Sequence, residues 1–426
     1  MIAPGIWLYL IFLVLLILNV PIAICLGLSG IVMIVISKLG IQVLPTILFA
    51  SIAKPSLVAI PFFILAGIIF YRIGIAEKLI RLIQLLVGPI PGGLAIVSVL
   101  SALVLGANTG SGPAETAALG SVLIPGLTDA GYPKDFVTAL IAASSGLAII
   151  IPPSIGFIIY GAITGTSISK LFIAGILPGL IIGASLIGMI FYVSARRGYG
   201  GDPFGSPQEV WYALKDAMWA LLAPVIILGG IYWGIFTPTE AAAVAVVYGF
   251  FVGAVIYRTL TLRMLYRILR EAAVTNAVVM LLVALAGLFG WANVTLGIIE
   301  KVSLFLITTI TNGPLLLFMI AVGLLVAGTV MDPVTLYFIT LPILMPVVAR
   351  MQWDPIWFGV VVTVALAIGQ VTPPVAVNLY VACQIADLSI EEVSVEAFRF
   401  AFAAFLGLLI ILYFPILSIW LPSFMR

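Results

Sequence analysis

Two stretches of this 426-residue chain interrupt long apolar runs at their centres: Gly106-Ala107-Asn108-Thr109-Gly110-Ser111-Gly112-Pro113 and Gly328-Thr329-Val330-Met331-Asp332-Pro333. Two further breaks are built on proline pairs. One runs from Ser144 to Ser154 and contains Pro152-Pro153; the other reads Gly369-Gln370-Val371-Thr372-Pro373-Pro374. A proline pair removes two amide donors and frees carbonyls in the preceding turn, which can then coordinate a cation. Hydroxyls and amides at Asn108, Thr109, Ser111, Thr372 and Asn378 offer neutral ligands to an ion or hydrogen bonds to a solute. Glu115 and Asp332 stand beside the first two breaks. Acids inside a membrane are functional by default, as ion ligands or proton carriers, while a helix-capping role near proline fits these two equally. Neither tip holds a Lys or Arg, so an anion bound there needs positive charge from a cation or from helix N-termini.

The composition restricts what such breaks can do. Hydrophobic residues make up 64% of the chain and charged residues 8%, against about 25% charged in soluble domains. A helix that spans a bilayer takes about 20 apolar residues, and apolar runs of that order recur from Ile6 to Leu421. The net charge of +2 gives no basic field for nucleic acid. With no histidine and two cysteines far apart, Cys25 and Cys383, His-based acid–base catalysis and His/Cys zinc sites are excluded. The first apolar run has no basic residue ahead of it and no small-residue cleavage site after it, so it reads as a span and not as a cleaved signal.

Proline landmarks reveal an internal repeat. Pro113 is matched by Pro333, Pro125 by Pro346, Pro133 by Pro355, Pro152-Pro153 by Pro373-Pro374, and Ala66-Gly67 by Ala286-Gly287, all in one order and at a nearly constant offset. The fold class expected is an all-α polytopic membrane protein with two halves, residues 1–195 and 216–426, joined by an exposed linker over 196–215. Each half reads as five crossings, namely three spans, a broken helix and a last span, with a re-entrant hairpin at about 92–127 or 314–349 standing before the broken helix. An odd number of crossings inverts the second half relative to the first, as in many secondary transporters. With the N-terminus outside, eleven Lys and Arg fall in inner loops and six in outer ones, which favours both termini outside. The segment YRTLTLRMLYRILREA sets Arg263, Arg267 and Arg270 on one helix face and reads as an interfacial helix. Glu240 reads as a first-turn acid, and Trp7, Trp211, Trp219, Trp233 and Trp420 as interface anchors.

At SGPAETAALGSVLIPGLTDAGYPKDFVTALIAASSGLAIIIPPSIGFIIYGAITGTSISKLFIAGILPG, TPTEAAAVAVVYG and VTPPVAVNLYVACQIA the chain resembles the large membrane (M, DctM-like) subunit of tripartite ATP-independent periplasmic (TRAP) transporters. The resemblance covers nearly the whole chain. It implies an elevator-type, sodium-driven secondary transporter of the bacterial inner membrane, surrounded by membrane lipid. It also implies two partners, a small four-helix membrane subunit and a periplasmic binding protein that delivers an organic acid. Carried over by motif position, it suggests one sodium site among Gly106, Thr109, Ala148, Ile151 and Pro153, and a second among Gly328, Gly369, Thr372 and Val375. Asn108, Ser111 and Asn378 are then expected to contact the solute. A stand-alone ion-coupled carrier would share the repeat and the hairpins. An intramembrane enzyme would need a catalytic constellation, for which Ser111 with Glu115 is the one conceivable pair.

Overall fold

The computed structural model describes residues 4–88, 90–199 and 205–425, with the side chains of Pro4 and Asn108 outside that description. Within it, all regular structure is helical. The first half comprises α1 (Pro4–Ile17), α2 (Ile22–Ile36), α3 (Val43–Ile52), α4 (Ala59–Arg72), α5 (Ile75–Val87), α6 (Gly93–Thr109), α7 (Gly112–Asp129), α8 (Lys134–Ser145), α9 (Ile155–Thr164) and α10 (Ile168–Arg197). The second comprises α11 (Pro207–Tyr232), α12 (Pro238–Phe251), α13 (Leu262–Thr295), α14 (Ile298–Thr309), α15 (Gly313–Gly328), α16 (Pro333–Arg350), α17 (Pro355–Gly369), α18 (Val377–Ala386), α19 (Ile390–Tyr413) and the short α20 (Ile416–Ile419). The starts of α6 to α10 and of α15 to α19 match in order at the same offset as the proline landmarks.

Among the described residues, seven helical stretches are long and apolar enough to cross a membrane, α10, α11, α13 and α19 included. Others, such as α6 with 17 residues and α9 with 10, are too short to cross singly, since about 20 residues are needed. Helix starts follow the sequence chemistry: Ser206 with Glu209, Thr237 with Glu240 and Ser389 with Glu392 form reciprocal capping boxes, which gives Glu240 the first-turn role expected of it. Proline occupies the first turn of α7, α11, α12, α15, α16 and α17, where its missing N–H costs nothing.

Two expectations change. The arginine-rich stretch is no separate interfacial helix: from Leu262 it runs unbroken into α13, 34 residues in all, about 51 Å at helical rise. The matching stretch of the first half is split into α3 and α4 by Pro55, whereas nothing between Arg270 and Gly287 can break α13. The linker is also shorter than 196–215, because α10 continues to Arg197 and the Ser206 cap starts α11 at Pro207. Residues 200–204 of that linker lie outside the described residues.

Two packed groups result. α6 to α10 and α15 to α19 pack on one another as a body, while α1 to α4 and α11 to α13 form a frame against it. At the centre of the body, Phe136–Ser145 of α8 and Trp357–Gly369 of α17 are buried at every position. The last helices of the two halves are tied by charge. Glu396 of α19, with 5% of its side chain exposed, accepts from Arg197 of α10 at 2.7 Å and from Arg399. Replacing both arginines by Met should leave this carboxylate buried without a cation and destabilise the protein by about 3 kcal/mol. The triple variant that also carries Glu396→Leu should recover most of that loss. Thermal unfolding in detergent checks this, and equal stability of the two variants would show that the cluster is not buried as described.

Candidate functional site

The first tip forms where α6 ends. Gly110 is left-handed (φ 61°) and caps the helix by donating its N–H to the Gly106 carbonyl at 3.1 Å, a conformation glycine adopts without strain. Extended Ser111 then starts α7. The Gly110 carbonyl is taken by the N–H of Ile155 at 3.4 Å, two residues beyond Pro152-Pro153. A methyl group placed on Gly106 would lie 2.9 Å from Cα of Ala148, and one on Gly110 2.9 Å from the Pro153 carbonyl oxygen. Backbone therefore meets backbone between tip and proline break. Gly106, Ala148 and Pro153 are brought together here with the adjoining Thr109, and Ile151 turns its side chain to Gly179 on α10.

The second tip repeats the bond. The Thr329 carbonyl accepts the N–H groups of Val375 and Ala376 at 3.2 and 2.9 Å, and Ala376 again stands two residues beyond its proline pair. Gly369 approaches Gly328 so closely that a methyl on it would lie 2.7 Å from the Gly328 backbone. Thr372 donates its hydroxyl to the Ile368 carbonyl at 2.8 Å. Gly328, Gly369, Thr372 and Val375 thus surround one junction. Surroundings differ between the two: Pro152 and Pro153 are buried, whereas Val375 is 43% exposed.

The two acids separate. Asp332 is an N-cap, accepting the Thr335 N–H at 3.0 Å and the Thr335 hydroxyl at 2.5 Å. Glu115 caps nothing. It is fully buried, one carboxyl oxygen accepts the Thr109 hydroxyl at 2.9 Å, and the other has no hydrogen-bond partner. Ser111 is not its partner, so the pair needed for nucleophilic chemistry does not form. Asn378 is fully buried, with its amide 3.4 Å from the Ala142 carbonyl, and beside Gln370 it faces Gly112. The side-chain oxygens of both amides lack a partner. Asn108 belongs to α6, but its side chain lies outside the described residues.

Beside the first tip, between body and frame, is a cavity of about 210 Å³. Thr109, Ser111 and Ile155 line it from the body; Gly67 and Tyr71 of α4 and Glu271 and Thr275 of α13 line it from the frame. Its rim carries the cation the tips lack. Arg72 donates to one oxygen of Glu271 through Nε at 3.2 Å and Nη2 at 2.7 Å. Asn378 lines no part of this cavity. Sequence reasoning missed Gln370, Tyr71, Glu271 and Arg72 as site residues; the signal present for the frame was Gly67, already a repeat landmark. Among the described residues no three His, Cys, Asp or Glu side chains gather as a metal cluster.

Residues 9–417 match the family described as the tripartite ATP-independent periplasmic transporter, DctM component. The chain is 40% identical over 381 residues, 89% of its length, to the isethionate TRAP transporter permease protein DctMQ of Oleidesulfovibrio alaskensis, of which it spans 60%. It is 39% identical over 94% of its length to the 2,3-diketo-L-gulonate TRAP transporter large permease protein YiaN of Escherichia coli, of which it covers 95%. Its fold is similar to that of the Alcanivorax borkumensis YdaH transporter, with a TM-score of 0.59 at 12% identity over 85% of this chain and 90% of that one.

The glycine contacts give a direct test. Gly369→Ala and Gly106→Ala force a methyl against backbone and should each destabilise the protein by about 1–3 kcal/mol. Gly126→Ala, on α7 with open space around it, should be neutral or stabilising by up to about 1 kcal/mol. Detergent-solubilised unfolding curves that do not separate the first two variants from the third would contradict the close approach.

Proposed function

This chain belongs to the DctM component family of the tripartite ATP-independent periplasmic transporters, and we propose that it carries a small organic acid inward across the bacterial inner membrane, coupled to sodium. The proposed assembly contains a small four-helix membrane subunit and a periplasmic binding protein that hands over the acid. Relatives named as transporter permeases point to transport and away from catalysis. These relatives are named for isethionate and 2,3-diketo-L-gulonate, both small organic anions, which supports that solute class here.

One observation carries the reading. Two tips at matching places in the two halves are each bonded, through Gly110 and Thr329, to the residue two places beyond a proline pair, with glycines in backbone contact behind them. Such paired junctions suit two cation sites made of backbone oxygens. The hydroxyls fit as well. Thr109 and Thr372 both give their protons away, to Glu115 and Ile368, which leaves oxygen lone pairs free to ligate sodium. In the first site Glu115 holds the Thr109 hydroxyl and so orients its oxygen. The two halves then run in inverted sense, with both termini outside, and the arginine-bordered cavity opens to the cytoplasm. The solute sits between tip and frame against Thr109, Ser111 and Thr275, with its charge met by the bound cation and the N-terminus of α7. Alternating access is movement of the body along the frame. An anion entering without sodium would meet uncompensated desolvation, which is the coupling.

Thr109→Ala, Thr372→Ala and Glu115→Gln should each raise the sodium concentration for half-maximal uptake, by about tenfold for a loss near 1.4 kcal/mol. The assay is organic-acid uptake into proteoliposomes holding both membrane subunits, with the binding protein outside. Unchanged sodium dependence in all three variants would remove these groups from the ion sites. Uptake driven equally by a proton gradient without sodium would replace the coupling ion, and full uptake by this chain alone would favour a stand-alone carrier.

A further inference from the structure

A second cavity, of about 280 Å³, lies between frame and body, walled by α3, α9, α13 and α16. Its walls repeat those of the first cavity. Gly67 and Gly287, Tyr71 and Trp291, and Ser51 and Glu271 are pairs at the repeat offset, and in each pair one member lines each cavity. The two cavities also share helices. On α13 the first touches residues from Glu271 to Val279 and the second from Gly287 to Trp291; on α9, Ile155 belongs to the first and Ile163 to the second. At helical rise they stand roughly 12 Å apart along α9 and roughly 20 Å along α13.

The second cavity has its own cation. Lys54, half-buried on the frame just before Pro55, lines it and donates Nζ to the Ala162 carbonyl at 2.7 Å. That carbonyl belongs to the last turn of α9, the end of a helix that carries partial negative charge. An ammonium has three donors, and Lys54 forms no ion pair with a carboxylate among the described residues. Lys54 is therefore held by a helix end on the body, which is a weaker attractor than a full anionic charge.

The geometry points to Lys54 as the anion-docking group of an outer solute subsite that takes a small organic carboxylate or sulfonate. This inference rests on the transport reading above. In the present arrangement the C-terminus of α9 occupies the ammonium. Travel of the body by about one α9 length along the frame, roughly 15 Å, withdraws that terminus and brings the N-terminal end of α9, bonded to the first tip, to the same place. The solute at Thr109 and Ser111 then faces Lys54 instead of Arg72. The frame thus presents one cation at each end of the path, and each is covered, by Ala162 or by Glu271, when no solute is there. A single anion passes from one to the other without leaving the body.

Two readouts test this. The first is uptake of isethionate, 2,3-diketo-L-gulonate and succinate into proteoliposomes containing the complete transporter. If wild type carries one of these probes, Lys54→Met should raise the half-saturating concentration of loaded binding protein by at least about tenfold, while Lys54→Arg stays within about threefold of wild type. The second leaves Lys54 intact. Ser51→Cys paired with Ser111→Cys, which line different cavities here, should crosslink under oxidant in the presence of sodium and solute. Wild-type half-saturation in Lys54→Met, or no crosslink between Ser51→Cys and Ser111→Cys, would overturn the outer subsite while leaving the transport reading in place. Failure of wild type to take up any probe would overturn the organic-acid reading, and the crosslink then decides on its own whether the tip reaches the second cavity.

Discussion

A peptide group inside a membrane has no water to bond, so each interruption of a helix there needs a partner supplied by the protein or by a bound ion. The chain meets this constraint with the same bond in both halves. A tip carbonyl, Gly110 or Thr329, accepts the N–H of a residue two places after a proline pair, Ile155 or Ala376. Each re-entrant tip is thereby joined to the break in the neighbouring helix. Glycine makes this possible, because Gly106 against Ala148 and Gly369 against Gly328 leave no room for a side chain.

Around these junctions the body is tightly buried, and cavities lie where it meets the frame. α8 and α17 are enclosed over nearly their whole length, so the junctions hang from a packed core. Contact with the frame is made along α13, whose 34 residues run past both cavities. A single continuous helix serving two related cavities is the arrangement expected of a fixed rail. On the proposed mechanism the solute crosses because the body moves past α13, while the sodium-binding oxygens travel with the body.

Much of this was legible in the sequence. The helices α6 with α7 and α15 with α16 run over 93–129 and 313–350 and break where glycine and proline stand in the sequence, because these residues punctuate backbone whatever the tertiary context. The constant offset between proline landmarks located the second set of breaks from the first. Charge chemistry was less legible. Asp332 and Glu115 look alike beside a tip, yet a first-turn Thr335 makes Asp332 a cap, while the preceding Thr109 draws Glu115 inward. Arg72, Glu271 and Lys54 read only as loop or interfacial charges, since nothing local says that α4 and α13 meet at a cavity. Gln370 is likewise silent until α7 is folded against the break after α17, where Gly112 faces its amide. The length of α13 was missed for a different reason: a charged stretch followed by an apolar one resembles an interfacial helix before a span, and only the absence of a breaker between them makes one rod.

Amide hydrogen exchange at Ile155, Val375 and Ala376, compared in sodium and in choline at equal ionic strength, tests the central claim most directly. If the paired junctions are the sodium sites, the ion binds only the formed arrangement and sodium should slow exchange at all three amides. At a sodium concentration about 100 times the dissociation constant, the expected stabilisation is about 2.7 kcal/mol, roughly a hundredfold in protection. Equal exchange in sodium and choline would contradict the account, because the bonds that close both tips would then form with no help from the ion they are proposed to hold.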